Sequence, residues 1–104
     1  MIKVLAKHPG HPPFMVMVEN TLEAFQSLVG GYIETVTLDD ALGLVLICNE
    51  EGFLLGLPDN CTLDGMRLVG SIALVGVDGD EFADVPLSYE TARLMLPEMW
   101  EATA

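Results

Sequence analysis

Between Asp39-Asp40 and Asn49-Glu50-Glu51-Gly52 the chain runs Ala41-Leu-Gly-Leu-Val-Leu-Ile-Cys48 without one polar side chain. Such a run is far too short to cross a bilayer, which takes about 20 residues. A strand that is apolar at both alternating positions must be covered on both faces, because successive side chains point to opposite sides of a sheet. Leu42 to Asn49 is therefore expected to be a central strand, and the rest of the chain has to supply its neighbours.

The neighbours are legible on either side. Ile2 to Ala6 and Phe14 to Val18 read as strands that can pair across the wide turn His8-Pro-Gly-His-Pro-Pro13. Asn20-Thr-Leu-Glu23 has the form of a helix start, with Asn20 as N-cap and Glu23 reaching back. Leu22, Phe25, Leu28 and Val29 then share one helical stripe, and Gly30-Gly31 permits a left-handed stop. Tyr32 to Leu38 is β-branched and aromatic, hence a strand. After the apolar run, the short turn at Asn49 to Gly52 predicts a hairpin return over Phe53 to Leu57. Residues 59–70 have no clear period and read as a loop with a short irregular element. Ser71 to Val77 is the last strong strand, closed by Asp78-Gly79-Asp80. Ser88 caps a second helix over Tyr89 to Leu96, which Pro97 stops.

Strands in hairpin order with two helices and no long crossovers predict a single α+β domain over residues 1–97. Its sheet is mainly antiparallel, with helices on one face. Residues 98–104 form a C-terminal tail, expected to fray unless Trp100 docks it. A chain of 104 residues is the usual size for one core.

Charge narrows the partners. Four Lys/Arg stand against 16 Asp/Glu, a formal net charge of −12, in a sequence that is 51% hydrophobic with a mean hydropathy of +0.44. Disordered acidic chains lack that apolar content, so a folded core is expected with the carboxylates on turns and outer faces. Lys3, Lys7, Arg67 and Arg93 are too few to follow a phosphate backbone, so direct nucleic-acid binding is not expected. Binding to an anionic membrane is disfavoured for the same reason. Acidity suits solubility and basic partners. Lys3 and Lys7 interrupt the N-terminal apolar stretch, which is unlike a signal peptide. A cytoplasmic location follows, with Cys48 and Cys61 as free thiols in a reducing compartment.

None of the chemistry-bearing residue types composes a catalytic or metal motif, so neither an enzyme nor a cofactor is expected. His8 and His11 stand three apart with no adjacent third ligand, and read as solvated turn residues. Asp78, Asp80, Glu81 and Asp84 resemble a calcium loop only superficially. The twelfth position, which needs a bidentate Glu, is Tyr89. Gly70 to Gly76 lacks the Lys-Ser/Thr ending of a phosphate loop; glycines in such strands mark bulges or close backbone approach. Cys61 has Asp59 and Asp64 nearby, which raise a thiol's pKa and blunt its reactivity.

Four segments, Glu19-Asn-Thr-Leu-Glu-Ala-Phe-Gln-Ser-Leu-Val-Gly-Gly-Tyr-Ile-Glu34, Leu46-Ile-Cys-Asn-Glu-Glu-Gly52, Gly56-Leu-Pro-Asp-Asn60 and Gly70-Ser-Ile-Ala-Leu-Val-Gly76, together resemble a family of small proteins from phages, plasmids and Gram-positive mobile elements. The family is known only as a domain of unknown function of the DUF3846 type. The resemblance implies a mobile-element context and carries no catalytic residues. The prolines at 9, 12 and 13 and the stretch Cys61 to Leu68 depart from that pattern.

The function expected is therefore binding. A small acidic protein in a mobile-element setting suits an inhibitor of a host defence effector, a restriction or CRISPR nuclease, by protein contact or nucleic-acid mimicry. Its candidate acidic surface comprises Asp39, Asp40, Glu50, Glu51, Asp78, Asp80, Glu81 and Asp84. The hairpin geometry places Asp39-Asp40 and Glu50-Glu51 at opposite ends of the sheet, so one continuous acidic face is not implied. A module sequestering a signalling nucleotide and an accessory protein without inhibitory role are the alternatives. Exposed apolar sheet would favour a homodimer.

Overall fold

The computed structural model describes residues 1–101. Strands β1 (Ile2–Lys7) and β2 (Phe14–Val18) pair antiparallel from Ile2↔Val18 to Ala6↔Phe14, with residues 8–13 as the wide loop. Helix α1 (Leu22–Val29) follows, then β3 (Ile33–Asp39), β4 (Leu44–Asn49), β5 (Asp59–Leu63), β6 (Met66–Val69), β7 (Ile72–Asp78), β8 (Glu81–Ala83), α2 (Tyr89–Met95) and α3 (Glu98–Glu101). The main sheet has the order β2-β1-β7-β4-β3 with β8 added to β7, and every pairing is antiparallel. The chain is α+β.

β4, which holds most of the apolar run, and the central strand β7 are adjacent, and both are buried on both faces, β7 up to its exposed last two residues. Period-two alternation divides their side chains between two cores. Val4, Ala6, Val45, Ile47, Ala73 and Val75 meet Phe25 and Val29 of α1. Leu5, Leu44, Leu46, Cys48, Ile72 and Leu74 point the other way. They are covered by Leu63 and Leu68 of a separate β5–β6 hairpin, with Ala92 of α2 and Met99 of α3. Helices thus lie on both faces, not one. The reason is the one that made the central strand legible: each apolar face needs its own cover.

Three local expectations are corrected. Phe53 to Leu57 is a coiled turn, fixed by Leu55 N donating to Glu51 O at 2.8 Å and Leu57 N to Gly52 O at 3.0 Å. A hairpin return beside β4 was impossible because β3 and β7 already occupy both of its edges. Residues 59–69 are instead an antiparallel hairpin, closed by Asp64 (φ 49°) and Gly65 (φ 76°) as a two-residue turn. Consecutive positive φ values are what the right-handed strand twist selects in such turns. Helix α1 is capped by Thr21, whose Oγ1 accepts from Ala24 N at 3.2 Å. Asn20 Nδ2 donates instead to Phe82 O of β8, an edge strand the sequence reading did not contain.

The C-terminal segment is tied down as far as it is described. Trp100 Nε1 donates to Tyr89 Oη at 3.1 Å, Tyr89 Oη donates to Pro13 O at 3.2 Å, and Met99 is fully buried. Residues 102–104 of the expected tail lie outside the described residues.

Candidate functional site

The antiparallel register fixes which loops share an end of the sheet. β3 ends, β4 begins and β7 ends together, so Asp39, Asp40, Asp78, Asp80 and Glu81 gather at one end. The hairpin turn at Asp64 and the start of α3 at Glu98 line the same cleft as Asp39, adding two carboxylates that the sequence reading left out. Asp84 lies close by, but its Oδ1 accepts from Lys3 N at 2.7 Å. Asp39 Oδ1 likewise accepts from Leu42 N at 3.0 Å and shapes the β3–β4 turn. Glu50 and Glu51 sit at the far end of β4, roughly 20 Å away for a six-residue strand. Among the described residues the ion pair is Arg67 Nη2 to Asp59 Oδ1 at 2.6 Å, so the carboxylates of the Asp39 end are not neutralised by cations.

At the opposite, Asn49 end, two buried asparagines pin the loops. Asn49 Nδ2 donates to Val29 O at the end of α1 at 3.1 Å, and its Oδ1 accepts from Glu51 N at 2.8 Å. Asn60 Nδ2 donates to both Lys7 O at 2.9 Å and Gly70 O at 2.8 Å. Held on this base, Phe53 (65% exposed), Leu54 (82%) and Leu55 (56%) project into solvent next to the exposed ring of Tyr32. Exposed apolar side chains also stand on β2 (Phe14, Met17), at the end of β7 (Val77) and on α2 (Leu94, Met95), but at this tip three of them are consecutive.

Two clefts lie end to end along one face of β3. The larger, about 430 Å³, is bounded by Leu38, Leu44, Leu96 and the Asp64-Gly65 turn. The smaller, about 240 Å³, has Val36, Cys48 and Met66 on its floor, with Phe53 and Arg67 at its side. Val36 and Leu38 are two apart on β3 and so face the same way. Arg67 is the one cation lining either cleft, and its guanidinium is bonded to Asp59 and lies 5.6 Å over the Phe53 ring.

A family model described as a domain of unknown function (DUF3846) matches residues 2–95. The chain belongs to this family. No curated protein and no solved structure matches it. In this DUF3846 domain the segments that carried the resemblance meet at the Asn49 end: Gly30-Gly31-Tyr32, Asn49 to Gly52, Leu57 to Asn60, and Gly70. Their small residues serve close packing. A Cβ on Gly31 would lie 2.9 Å from Asn49 Nδ2, and one on Gly70 would lie 2.7 Å from Leu57 Cδ1. Asparagine–glycine contacts at four separated positions give no single-sequence signal, which is why the pins were not foreseen.

Both cysteines are free and buried. Burial pushes the Cys48 thiol up, helped by Glu34 beside it. Burial also pushes Cys61 up, with Glu98 acting in the same sense and Lys7 against it. The carboxylate acting on Cys61 is thus Glu98, brought in by the fold, and not its chain neighbours Asp59 or Asp64. His8 Nδ1 lies 2.6 Å from Ser71 Oγ and His11 Nδ1 lies 3.0 Å from Pro9 O. Among the described residues no group of three His, Cys, Asp or Glu side chains stands close enough to hold a metal ion. Asp78 to Glu81 forms the β7–β8 turn. No helix among those residues is long and apolar enough to cross a membrane.

Proposed function

We propose that this DUF3846 domain acts without catalysis, by binding a basic partner protein through its Asp39 end, and that the partner is a nucleic-acid-handling effector of a host defence system. The observation that carries this reading is the convergence of Asp39, Asp40, Asp64, Asp78, Asp80, Glu81 and Glu98 from four separate loops without a paired cation. Unpaired surface carboxylates raise self-repulsion in the folded state; a basic partner removes that repulsion on binding and is steered toward it at long range. The resemblance to proteins of phages and mobile elements supplies the defence setting. Glu50 and Glu51, at the other end, are outside this surface.

The nucleotide-sequestering alternative needs converging cations. Arg67 is engaged by Asp59 and Phe53, Lys7 is fully buried, and Arg93 on α2 lines a separate cleft beside Glu90 without a second cation, which favours the protein-binding reading. The consecutive exposed residues Phe53–Leu55 would support a homodimer, and light scattering across a concentration series tests it: a monomer throughout removes it.

The main test is capture of purified restriction and CRISPR nucleases at rising salt. A partner retained at low ionic strength, released as salt rises, and lost with D40N/D78N/D80N supports the proposal. Absence of any salt-sensitive partner, or full retention by that variant, overturns it.

A further inference from the structure

We infer that the two clefts along β3 form one groove that receives an extended segment of the partner protein, in which apolar residues alternate with Lys or Arg. The inference rests on the proposed binding function and specifies the partner's chemistry.

Four features point to this occupant. The floor is apolar and only half-buried: Val36, Leu38 and Met66 pack against the core from one side and leave the other open. The rims are anionic, with Glu34 and Glu50 along the smaller cleft and Asp39, Asp64 and Glu98 along the larger. The lone lining cation, Arg67, is already matched by Asp59. Finally, β3 is the last strand of the sheet order, so one row of its backbone groups has no strand neighbour.

These features fit an extended ligand. β3 has seven residues, roughly 24 Å of strand at about 3.4 Å each. A segment of similar length laid beside it would place alternate side chains on the floor and the others outward. An edge strand adds main-chain hydrogen bonds to such a ligand. The register shift between Thr37 and Asp39 interrupts regular pairing there, so added hydrogen bonds would concentrate on Ile33 to Thr37. Charge complementarity with the rims then selects Lys or Arg for the outward positions.

The test is fluorescence anisotropy with two labelled peptides of equal charge, one alternating lysine with valine and one alternating lysine with glycine. The full chain should bind the valine peptide at least about tenfold more tightly than the glycine peptide, because only the first fills the apolar floor. M66K, checked for native circular dichroism, should abolish that preference. E34Q/D64N/E98Q, which leaves the floor intact, should weaken both peptides. E23Q, in the first turn of α1 on the opposite face of the sheet, should leave peptide binding within about twofold of the unaltered chain. Equal affinity for the two peptides, or M66K retaining the preference, overturns the groove. If an effector is captured and M66K still captures it fully, the groove fails while the proposed function stands. If the peptide preference holds but no effector is captured, the groove stands and the defence reading fails.

Discussion

The side-chain amide of Asn60 donates to the backbone carbonyl of Lys7 at 2.9 Å, joining the second-layer hairpin to the end of the first strand. The same nitrogen bonds Gly70 O at 2.8 Å, while Asn60 Oδ1 is buried without a partner among the described atoms. Asn60→Ala would remove a buried side-chain donor from two backbone carbonyls, two hydrogen bonds worth about 1 kcal/mol each. Urea unfolding should therefore show a loss of at least about 2 kcal/mol. A change below about 0.5 kcal/mol would mean that water replaces the amide freely.

Gly76 and Gly10 make a matched pair of alanine substitutions. A Cβ on Gly76 would overlap the backbone carbonyl of Asp84, so G76A must push β8 and the following chain away from β7. Gly10 has φ +76° with open space around it, so G10A meets only the conformational cost, about 1 kcal/mol. G76A should lose more than twice the stability that G10A loses. Equal losses by denaturant unfolding would contradict the close approach.

Lys7 and the two thiols pull stability in opposite directions with pH. Burial holds the Lys7 ammonium below its ordinary 10.5, with Cys61 working against that shift. The unfolded chain then binds more protons than the native state between the two Lys7 pKa values, so this contribution to stability rises with pH there. Burial raises both thiols above 9.0, so the native state binds more protons in that range and stability falls as pH climbs. Removing the thiols with C48A/C61A should expose an alkaline rise in stability, and adding K7M should flatten it. If the slope on the C48A/C61A background were already flat or negative, the buried-lysine account would be wrong.

The same shielding governs thiol chemistry. Cys48 and Cys61 are each 8% exposed and held protonated, so neither should be a ready nucleophile. Modification by an aromatic disulfide reagent at neutral pH should follow global unfolding, accelerating with denaturant as the folded fraction falls. Fast stoichiometric labelling of the native protein would be incompatible with this packing.

Ionic strength offers a test that needs no partner. With a net charge of −12 and one ion pair among the described residues, screening should relieve repulsion in the folded state. Tm should rise as salt goes from about 10 mM to about 150 mM, over which the Debye length falls from roughly 30 Å to roughly 8 Å. D78N/D80N should reduce the size of that rise. A Tm independent of salt would show that the carboxylates at the Asp39 end do not strain the fold.

Local pattern by itself determined much of this protein. The apolar run at Ala41 to Cys48, bounded by charged turns, specifies a strand buried on both faces. The Gly30-Gly31 stop and the Ser88 start place helix ends within a residue, because capping depends on neighbours in the chain. Even the separation of Asp39-Asp40 from Glu50-Glu51 follows from one strand lying between them. What only the tertiary structure decided involves competition for edges and contacts across sequence. Phe53 to Leu57 has strand composition but no strand edge left to pair with, so it becomes an exposed turn. Residues 59–69, without a clear period, form a hairpin because the second face of the sheet needs cover. The groove, the Asn49 and Asn60 pins, and the arrival of Asp64 and Glu98 beside Asp39 depend on layers stacking, and no local spacing encodes that.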